Sequence, residues 1–413
     1  VNRSTGADDL GGENAAVRIG RDLVAGASVT SDVLERARSL FPHLSTGKVY
    51  FNHAATGPLS TRVIEAMQQH LFGRSAGSLD TYESDMKMIG ELRARAAALV
   101  NAPSPDRIAL PPNTSEAIAI VASGLDWRPG DRVLLNSAEF PANVYPYLAL
   151  RRSGVELDVL RCERGAVTPE MIESSLTPRT RLVALSAVQF LSGYRADMAA
   201  IGDTCTRRGV VFAVDGIQAV GAVRIDVQAM RIDALAAGAQ KWQLSPHGSG
   251  LLYVTEELQS RITPSHLGWL SADDPWKFYD YDQPLAASAR RYEPGTPAIP
   301  CLWGMHASLG LLLEVGRATI ERSVLANSGA LLDGLRAMDG VDIHTPADPD
   351  RRAGIVTIGF SRGTDPHRAF LSLSAAGIMV SLREGLLRFS PHFYNTPTEI
   401  ETALGVLGDI LRK

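Results

Sequence analysis

The sequence predicts an α/β protein: a mostly parallel seven-stranded sheet covered by helices, followed by a smaller α+β unit. Three observations predict it. Short, wholly apolar runs alternate with helical stretches from Arg107 to Val254, the pattern of parallel strands buried on both faces. One of these runs, Val210 to Val214, ends on an acidic residue, Asp215, where open α/β sheets place their ligand-binding groups. After Pro300 the texture changes to long helical patterns and scattered strands.

Composition sets the outer bounds. The 413 residues are 45% hydrophobic and 21% charged, an ordinary globular balance, long enough for a large domain with a smaller appendage. Forty-one basic against 45 acidic residues give a net charge of -4, which implies no nucleic-acid partner and no anionic membrane. No apolar run approaches the roughly 18 residues of a membrane span, and the start lacks a basic region followed by an apolar one. The three cysteines, Cys162, Cys205 and Cys301, have neither metal-ligand nor disulfide spacing. No metal site is expected, and a reducing, cytoplasmic setting is the default.

Residues 1–30 are rich in Gly, Asp, Asn and Ala and read as a loose arm, with no room for a DNA-binding domain. Residues 31–60 open on a helical pattern (Val33, Leu34, Ala37, Leu40), pass through a strand at Val49 to Phe51 and a loop at Asn52 to Pro58, and are expected to pack on the small domain. The large domain is assigned to residues 61–298. Val63, Ile64, Met67 and Leu71 mark a helix face there. Its strands are expected at Ile108–Leu110, Arg132–Leu135, Leu157–Leu160, Leu182–Ser186, Val210–Val214, Ala234–Ala237 and Gly250–Val254. Helices are expected at Ser115–Ser123 and at Asp197–Arg208, the latter stopped by Gly209. The last strand follows its predecessor too closely for a helical crossover, so it should run antiparallel. The small domain, residues 299–413, is expected to hold one long helix from Leu302 to about Met338. Strands should follow at Val341–Ile343, Gly354–Ile358, Ile378–Leu382 and Leu386–Phe389, with helices at Arg368–Ala376 and Thr398–Leu411.

Two residues carry the chemistry. Asp215 ends one buried strand, and Lys241 lies just beyond the next. Alone, such an Asp more often caps a helix or holds a salt bridge, and such a Lys is solvated. Together they are the parts a pyridoxal phosphate (PLP) enzyme needs. The amine forms a Schiff base with the cofactor, and the carboxylate keeps the pyridine nitrogen protonated.

Asp215-Gly216-Ile217-Gln218-Ala219-Val220-Gly221 and Ala239-Gln240-Lys241-Trp242 resemble the cofactor signature of the class V aminotransferase family. Arg291-Tyr292-Glu293-Pro294-Gly295-Thr296-Pro297 closely resembles a further segment of that family, and the resemblance covers about residues 48–411. The family includes cysteine desulfurases, selenocysteine lyases, kynureninases and isopenicillin N epimerases. The resemblance implies the architecture of a fold-type I PLP-dependent transferase, PLP as cofactor, and an amino-acid substrate bound through an external aldimine. It also implies a homodimer with shared active sites.

The same resemblance assigns roles to residues. Asn113-Thr114-Ser115-Glu116 fits a capping box, and Thr114 and Ser115 carry over as phosphate ligands at that helix start. Phe140 takes the ring-stacking position, where desulfurases have His. Gln189 corresponds to a residue near the ring hydroxyl, and Gln218 should bond the phenolic oxygen. Of the Ser-X-His before the lysine only Gln240 remains able to reach the phosphate, and Thr296 would reach the phosphate of the neighbouring subunit. Arg388 stands between Leu387 and Phe389 on an apolar strand and needs a partner if buried. The family uses this arginine for the substrate carboxylate, whereas the plainer alternative is a salt bridge. Asn52, His53 and Ala55, in the loop to Thr56, are expected to join Phe140, Trp269 and the segment from Trp276 to Tyr281 in a side-chain pocket.

The reaction is less determined. Persulfide-forming desulfurases use a cysteine before the carboxylate-binding arginine, and none occurs from Ser361 to Arg388. A C–S or related β-eliminating lyase is therefore expected, with an aminotransferase or an amino-acid epimerase as alternatives. A non-catalytic protein of the same fold is opposed by the presence of Asp215, Lys241 and Arg388.

Overall fold

The computed structural model describes residues 32–361 and 363–412, so the arm expected over residues 1–30 lies outside the described residues. A helix α1 (residues 32–39) leads to β1 (Val49–Tyr50), α2 (Thr61–Ala76) and α3 (Tyr82–Val100). The large sheet then assembles from β2 (Ile108–Ala109), β3 (Arg132–Asn136), β4 (Glu156–Leu160), β5 (Thr180–Ser186), β6 (Val211–Asp215), β7 (Ala234–Gly238) and β8 (Gly250–Val254). Its order is β2-β8-β7-β6-β5-β3-β4. Every strand is parallel to the others except β8, which runs antiparallel to both β7 and β2, as the short connection requires.

Alternation along the strands explains why they are apolar throughout. Leu182, Ala184, Val211 and Ala213 face one core cluster, while Val183, Leu185, Phe212 and Val214 face the other. On the first side lie α4 (Thr114–Gly124) and α5 (Tyr145–Leu148). On the second lie α3, α6 (Pro169–Ser175) and α7 (Met198–Arg208), the last capped by Asp197 and ended by Gly209 with φ 66°.

Beyond α8 (Glu256–Arg261) the structure corrects the sequence reading. The long helix expected from Leu302 to Met338 is two helices, α9 (Ile299–Val315) and α10 (Arg317–Arg336), bent by 82° at Gly316. Gly316 has φ 89°, a conformation glycine adopts without strain. The bend turns α9 away from the direction of α10. Leu302, Met305, Leu309 and Leu312 pack in the same core cluster as α3.

The small unit is an antiparallel sheet, β12-β13-β10-β9, formed by β9 (Val341–Ile343), β10 (Val356–Phe360), β12 (Ser381–Arg383) and β13 (Leu386–Phe389). Leu331 and Leu335 of α10, Leu373 of α11 (Pro366–Ala375) and Ile400 and Leu407 of α12 (Pro397–Leu411) share its core. The strand expected over Ile378–Leu382 is split. Its first part, β11 (Ile378–Met379), leaves this sheet to pair in parallel with β1, drawing the N-terminal segment onto the small unit. Among the described residues no single helix is long and apolar enough to cross a membrane, and no group of His, Cys, Asp or Glu could hold a metal.

Candidate active site

The carboxyl ends of β3, β5, β6 and β7 point to one edge of the large sheet. The segments that leave them carry Glu139 and Phe140, Gln189, Asp215, and Lys241. Asp215 closes β6 and is 2% exposed. Its carboxylate accepts one hydrogen bond, from the Ile217 N–H at 2.9 Å. Burial, with Glu139 nearby, raises its pKa well above the usual carboxylate range, while Lys241 pulls the other way. Burial likewise lowers the pKa of the Lys241 amine, and Arg388 and Arg383 add to this against the pull of Asp215. The Lys241 ammonium lies 5.6 Å from the centre of the Phe140 ring. That ring is 41% exposed, which leaves it accessible for stacking, and it meets Phe190 edge-on at 5.2 Å.

An anion cradle forms where α4 meets β7. Asn113 caps α4 by accepting the Glu116 N–H, the one arm of the expected capping box that is formed. Thr114 is buried, and its Oγ1 accepts the Gly238 N–H at 2.8 Å. A Cβ on Gly238 would stand 2.6 Å from Gln240 Oε1 and 3.0 Å from Thr114 Oγ1, so glycine lets these two side chains close on the end of β7. Ser115 is exposed at the same helix start, where first-turn amides have no partner within the helix.

Glu139 is the residue that sequence reasoning passed over. Its buried carboxylate accepts hydrogen bonds from Asn136, from Asn143 at 3.0 Å, from the Ser186 N–H and hydroxyl, and from Gln189 Nε2 at 3.0 Å. A carboxylate only accepts, so it turns the nitrogen end of the Gln189 amide toward itself. Gln189 Oε1 is left buried without a protein partner. The available signal was an acidic residue inside Ala138-Glu139-Phe140, directly after a buried strand.

The loop after β1 crosses the lysine segment. The Gly57 N–H donates to the Gln240 carbonyl at 2.7 Å, and Gly57 packs on the Lys241 carbonyl too closely for a side chain. Asn52 accepts from the Ser381 hydroxyl, and the Ala55 N–H donates to the Asn52 carbonyl. Gln218 has its Oε1 on the Trp242 indole N–H at 2.8 Å and its Nε2 on the Ala54 carbonyl at 3.0 Å, which leaves one amide N–H for a ligand. His53 is corrected from substrate residue to core residue. It is 0% exposed, with Nδ1 on the Ser390 carbonyl and Nε2 on the Tyr394 hydroxyl, so neither nitrogen is available.

Arg388 is the clearest sign of a ligand. Its side chain is 2% exposed; Nη1 donates to the Phe190 carbonyl at 2.7 Å and Nη2 reaches the Ser381 hydroxyl at 3.5 Å. Among the described residues no carboxylate pairs with it, which removes the salt-bridge alternative, and Nε has no partner. Burial and Arg383 lower its pKa to about 10, the cost of holding a charge there unpaired.

Thr296, Trp269 and Trp276 do not join the group around Lys241 of their own chain. With Tyr82 and Met86 they line a separate cavity of about 310 Å³, and Tyr279 and Tyr281 are 89% and 85% exposed. Arg290 explains this placement by donating to the carbonyls of Leu270, Ala272 and Asp273, which folds the aromatic loop back on itself. The expected pocket therefore loses Trp269 and the Trp276–Tyr281 segment within one chain.

The donor set fits PLP. It comprises the start of α4 with Thr114 and Ser115, an exposed aromatic face at Phe140, a buried carboxylate without a cation at hydrogen-bonding distance, and the Gln218 amide N–H left over by Trp242 and Ala54.

Comparison with known proteins points the same way. A family model described as aminotransferase class V matches residues 49–402. A probable cysteine desulfurase of Methanothermobacter thermautotrophicus is 30% identical over 393 residues, covering 88% of this chain and 94% of the relative. The cysteine desulfurase CsdA of Escherichia coli is 28% identical, covering 90% of this chain and 96% of the relative. Among solved structures, the apo cysteine desulfurase of Thermococcus onnurineus NA1 superposes with a TM-score of 0.84 at 25% identity, covering 92% of this chain and 98% of that one. The cystine C–S lyase C-DES, solved with its product cysteine persulfide, superposes with a TM-score of 0.82 at 25% identity, covering 89% and 99%.

Proposed function

The chain belongs to the class V aminotransferase family, and we propose that within it the protein is a lyase that breaks a C–S or related bond at the β carbon of an amino acid, without a catalytic cysteine. It is a PLP-dependent enzyme, as its family and C-DES, also solved in a form with glycine covalently linked to its PLP cofactor, indicate. The observation that carries the substrate class is Arg388, a buried guanidinium that leans on a main-chain carbonyl and a hydroxyl and has no carboxylate of its own. An amino acid's α-carboxylate completes it.

The residues divide the work as follows. Arg388, held by Phe190 and Ser381, orients the substrate carboxylate, with Asn52 behind Ser381. Thr114, Ser115 and Gln240 are assigned to the cofactor's phosphate, Phe140 to its ring face, Gln189 and Gln218 to the ring's oxygen side, and Asp215 to its ring nitrogen. Bound there, PLP supplies an electron sink for bonds at the substrate's α carbon. Lys241, whose amine burial makes easier to deprotonate, removes the α proton. The electron pair of the broken C–S bond leaves with sulfur, and addition of water releases pyruvate and ammonia. Phe140 offers no proton where a His would, so Lys241 is the only side chain given a proton-moving role.

The missing cysteine supports elimination over persulfide transfer. None occurs from Ser361 to Arg388. Cys205 is buried in α7, Cys301 lies in α9, and Cys162 rests against Ser137 and Asn136. Three free cysteines also favour a reducing, cytoplasmic setting. A homodimer with shared sites belongs to the same reading, since Thr296 has no partner role within its own chain's site. The test is incubation of purified holoenzyme with a panel of amino acids, with and without a keto acid. Pyruvate, ammonia and a released thiol support elimination. Amino transfer to the keto acid, or deuterium exchange at Cα without turnover, would replace it with transamination or epimerisation.

A further inference from the structure

We propose that Trp242 is a positioning residue for the cofactor site: its indole N–H locks the Gln218 carboxamide in the orientation that leaves an amide N–H, and not the carbonyl, for the cofactor's phenolic oxygen. The inference rests on the reading that PLP is held by Lys241 beside Gln218.

Both partners of Gln218 bond in one direction only. An indole N–H can only donate and a main-chain carbonyl can only accept. Gln218 Oε1 takes the Trp242 Nε1–H at 2.8 Å, and Gln218 Nε2 gives one hydrogen to the Ala54 carbonyl at 3.0 Å. A flipped amide would set N–H against N–H and oxygen against oxygen in a site where Gln218 is 2% exposed and water cannot compensate. Only the second Nε2 hydrogen remains to be given away.

Both partners are themselves fixed. Trp242 is 0% exposed, its carbonyl accepts from His392 Nε2 at 2.9 Å, and Gly221 and Gly354 leave no room for a Cβ against it. The Ala54 N–H donates to the Ser390 hydroxyl at 3.0 Å. Trp242 directly follows Lys241, so the lysine and the glutamine share one anchor. No aliphatic or phenyl side chain could do this, because none donates a hydrogen bond. The consequence is electrostatic. An N–H given to the phenolic oxygen favours its ionised form, so removing it raises the pH at which the bound cofactor changes its visible absorption.

The test compares Trp242→Phe, Gln218→Leu and the double variant, each loaded with PLP and titrated spectroscopically. Each single variant should raise the midpoint by about half a pH unit or more, and the double variant should move it no further than one single variant. A tryptophan that only fills space would leave the midpoint unmoved or add its shift to that of Gln218→Leu, and either result overturns the proposal. The second measurement needs no cofactor and no change at Trp242. In apoprotein with nitrogen-15-labelled tryptophan, Gln218→Leu should shift and speed the exchange of one of the five indole N–H signals. Five unmoved signals overturn the lock. Should the wild type take no visible band, the reading of Lys241 falls, while the indole result still decides the lock.

Discussion

Arg388 and Phe190 are joined by a 2.7 Å hydrogen bond in which a buried guanidinium rests on a main-chain carbonyl instead of a carboxylate. A charge held this way is preorganised for an anion that arrives later. Losing one member of such a buried charge pair costs about 3–5 kcal/mol. Arg388→Ala should therefore raise KM for amino acids by roughly a hundredfold to a few thousandfold while PLP stays bound. Arg388→Lys should recover little, since the forked geometry is lost. Steady-state kinetics beside a PLP absorbance measurement checks both, and an unchanged KM would remove the carboxylate role.

Cysteine chemistry makes the opposite prediction. Replacing Cys162, Cys205 and Cys301 together by Ser or Ala should leave turnover within a few-fold, because none takes part in the reaction. A triple variant that folds and binds PLP yet is inactive would restore a persulfide mechanism.

Assembly should control cofactor affinity. Thr296 lies with Tyr82, Trp269 and Trp276 in a cavity apart from Lys241, and these rings are 47%, 45% and 52% exposed in the single chain. If this face meets a second copy, dilution should release PLP as dimers part, and Thr296→Ala should weaken PLP by one charge-assisted hydrogen bond, about 1.5–3 kcal/mol. Sedimentation and PLP retention measured across protein concentration decide it. A stable monomer that keeps PLP contradicts the shared site.

Asp215 separates stability from chemistry. Burial raises its folded pKa above the unfolded value, so its contribution favours folding at low pH and is lost as pH rises through the folded value. At pH 8 the ionised carboxylate is a cost in the apoprotein. Asp215→Asn keeps an acceptor for the Ile217 N–H and should stabilise the apoprotein there by about 1–3 kcal/mol, while abolishing turnover. Urea melts of apoprotein at pH 8 check the sign; a destabilised variant would mean Asp215 has a cationic partner.

Much of this was legible locally. A strand announces itself by apolar content and its end by Asp215, and Lys241 is found by its distance beyond β7. The sequence could not show which partners a residue finds. The apolar pattern runs unbroken through Gly316, so one long helix was expected where the chain turns by 82°. Val380 is apolar like its neighbours, yet there the chain passes from one sheet to another. Nothing local distinguishes Glu139, on which five donors converge, or tells that Ser390 and Tyr394 take both nitrogens of His53. These are long-range contacts with no local periodicity to betray them.

The buried histidines should give the protein an acid limit. His392 is fully buried, its Nε2–H donates to the Trp242 carbonyl and its Nδ1 accepts the Phe393 N–H, so a proton has no place to bind. Burial lowers its pKa to about 4, and that of the neighbouring His53 falls well below its ordinary value. The unfolded chain binds these protons near pH 6.5, so stability is fully present above that pH and is lost as pH falls toward 4. For His392 alone the loss is about 3 kcal/mol across that window. His392→Gln retains a donor and an acceptor but does not titrate, so it should flatten the decline. Urea unfolding at pH 7, 5.5 and 4.5 measures it in wild type and variant. Equal slopes would place the acid sensitivity elsewhere and leave His392 with a purely geometric role beneath Trp242.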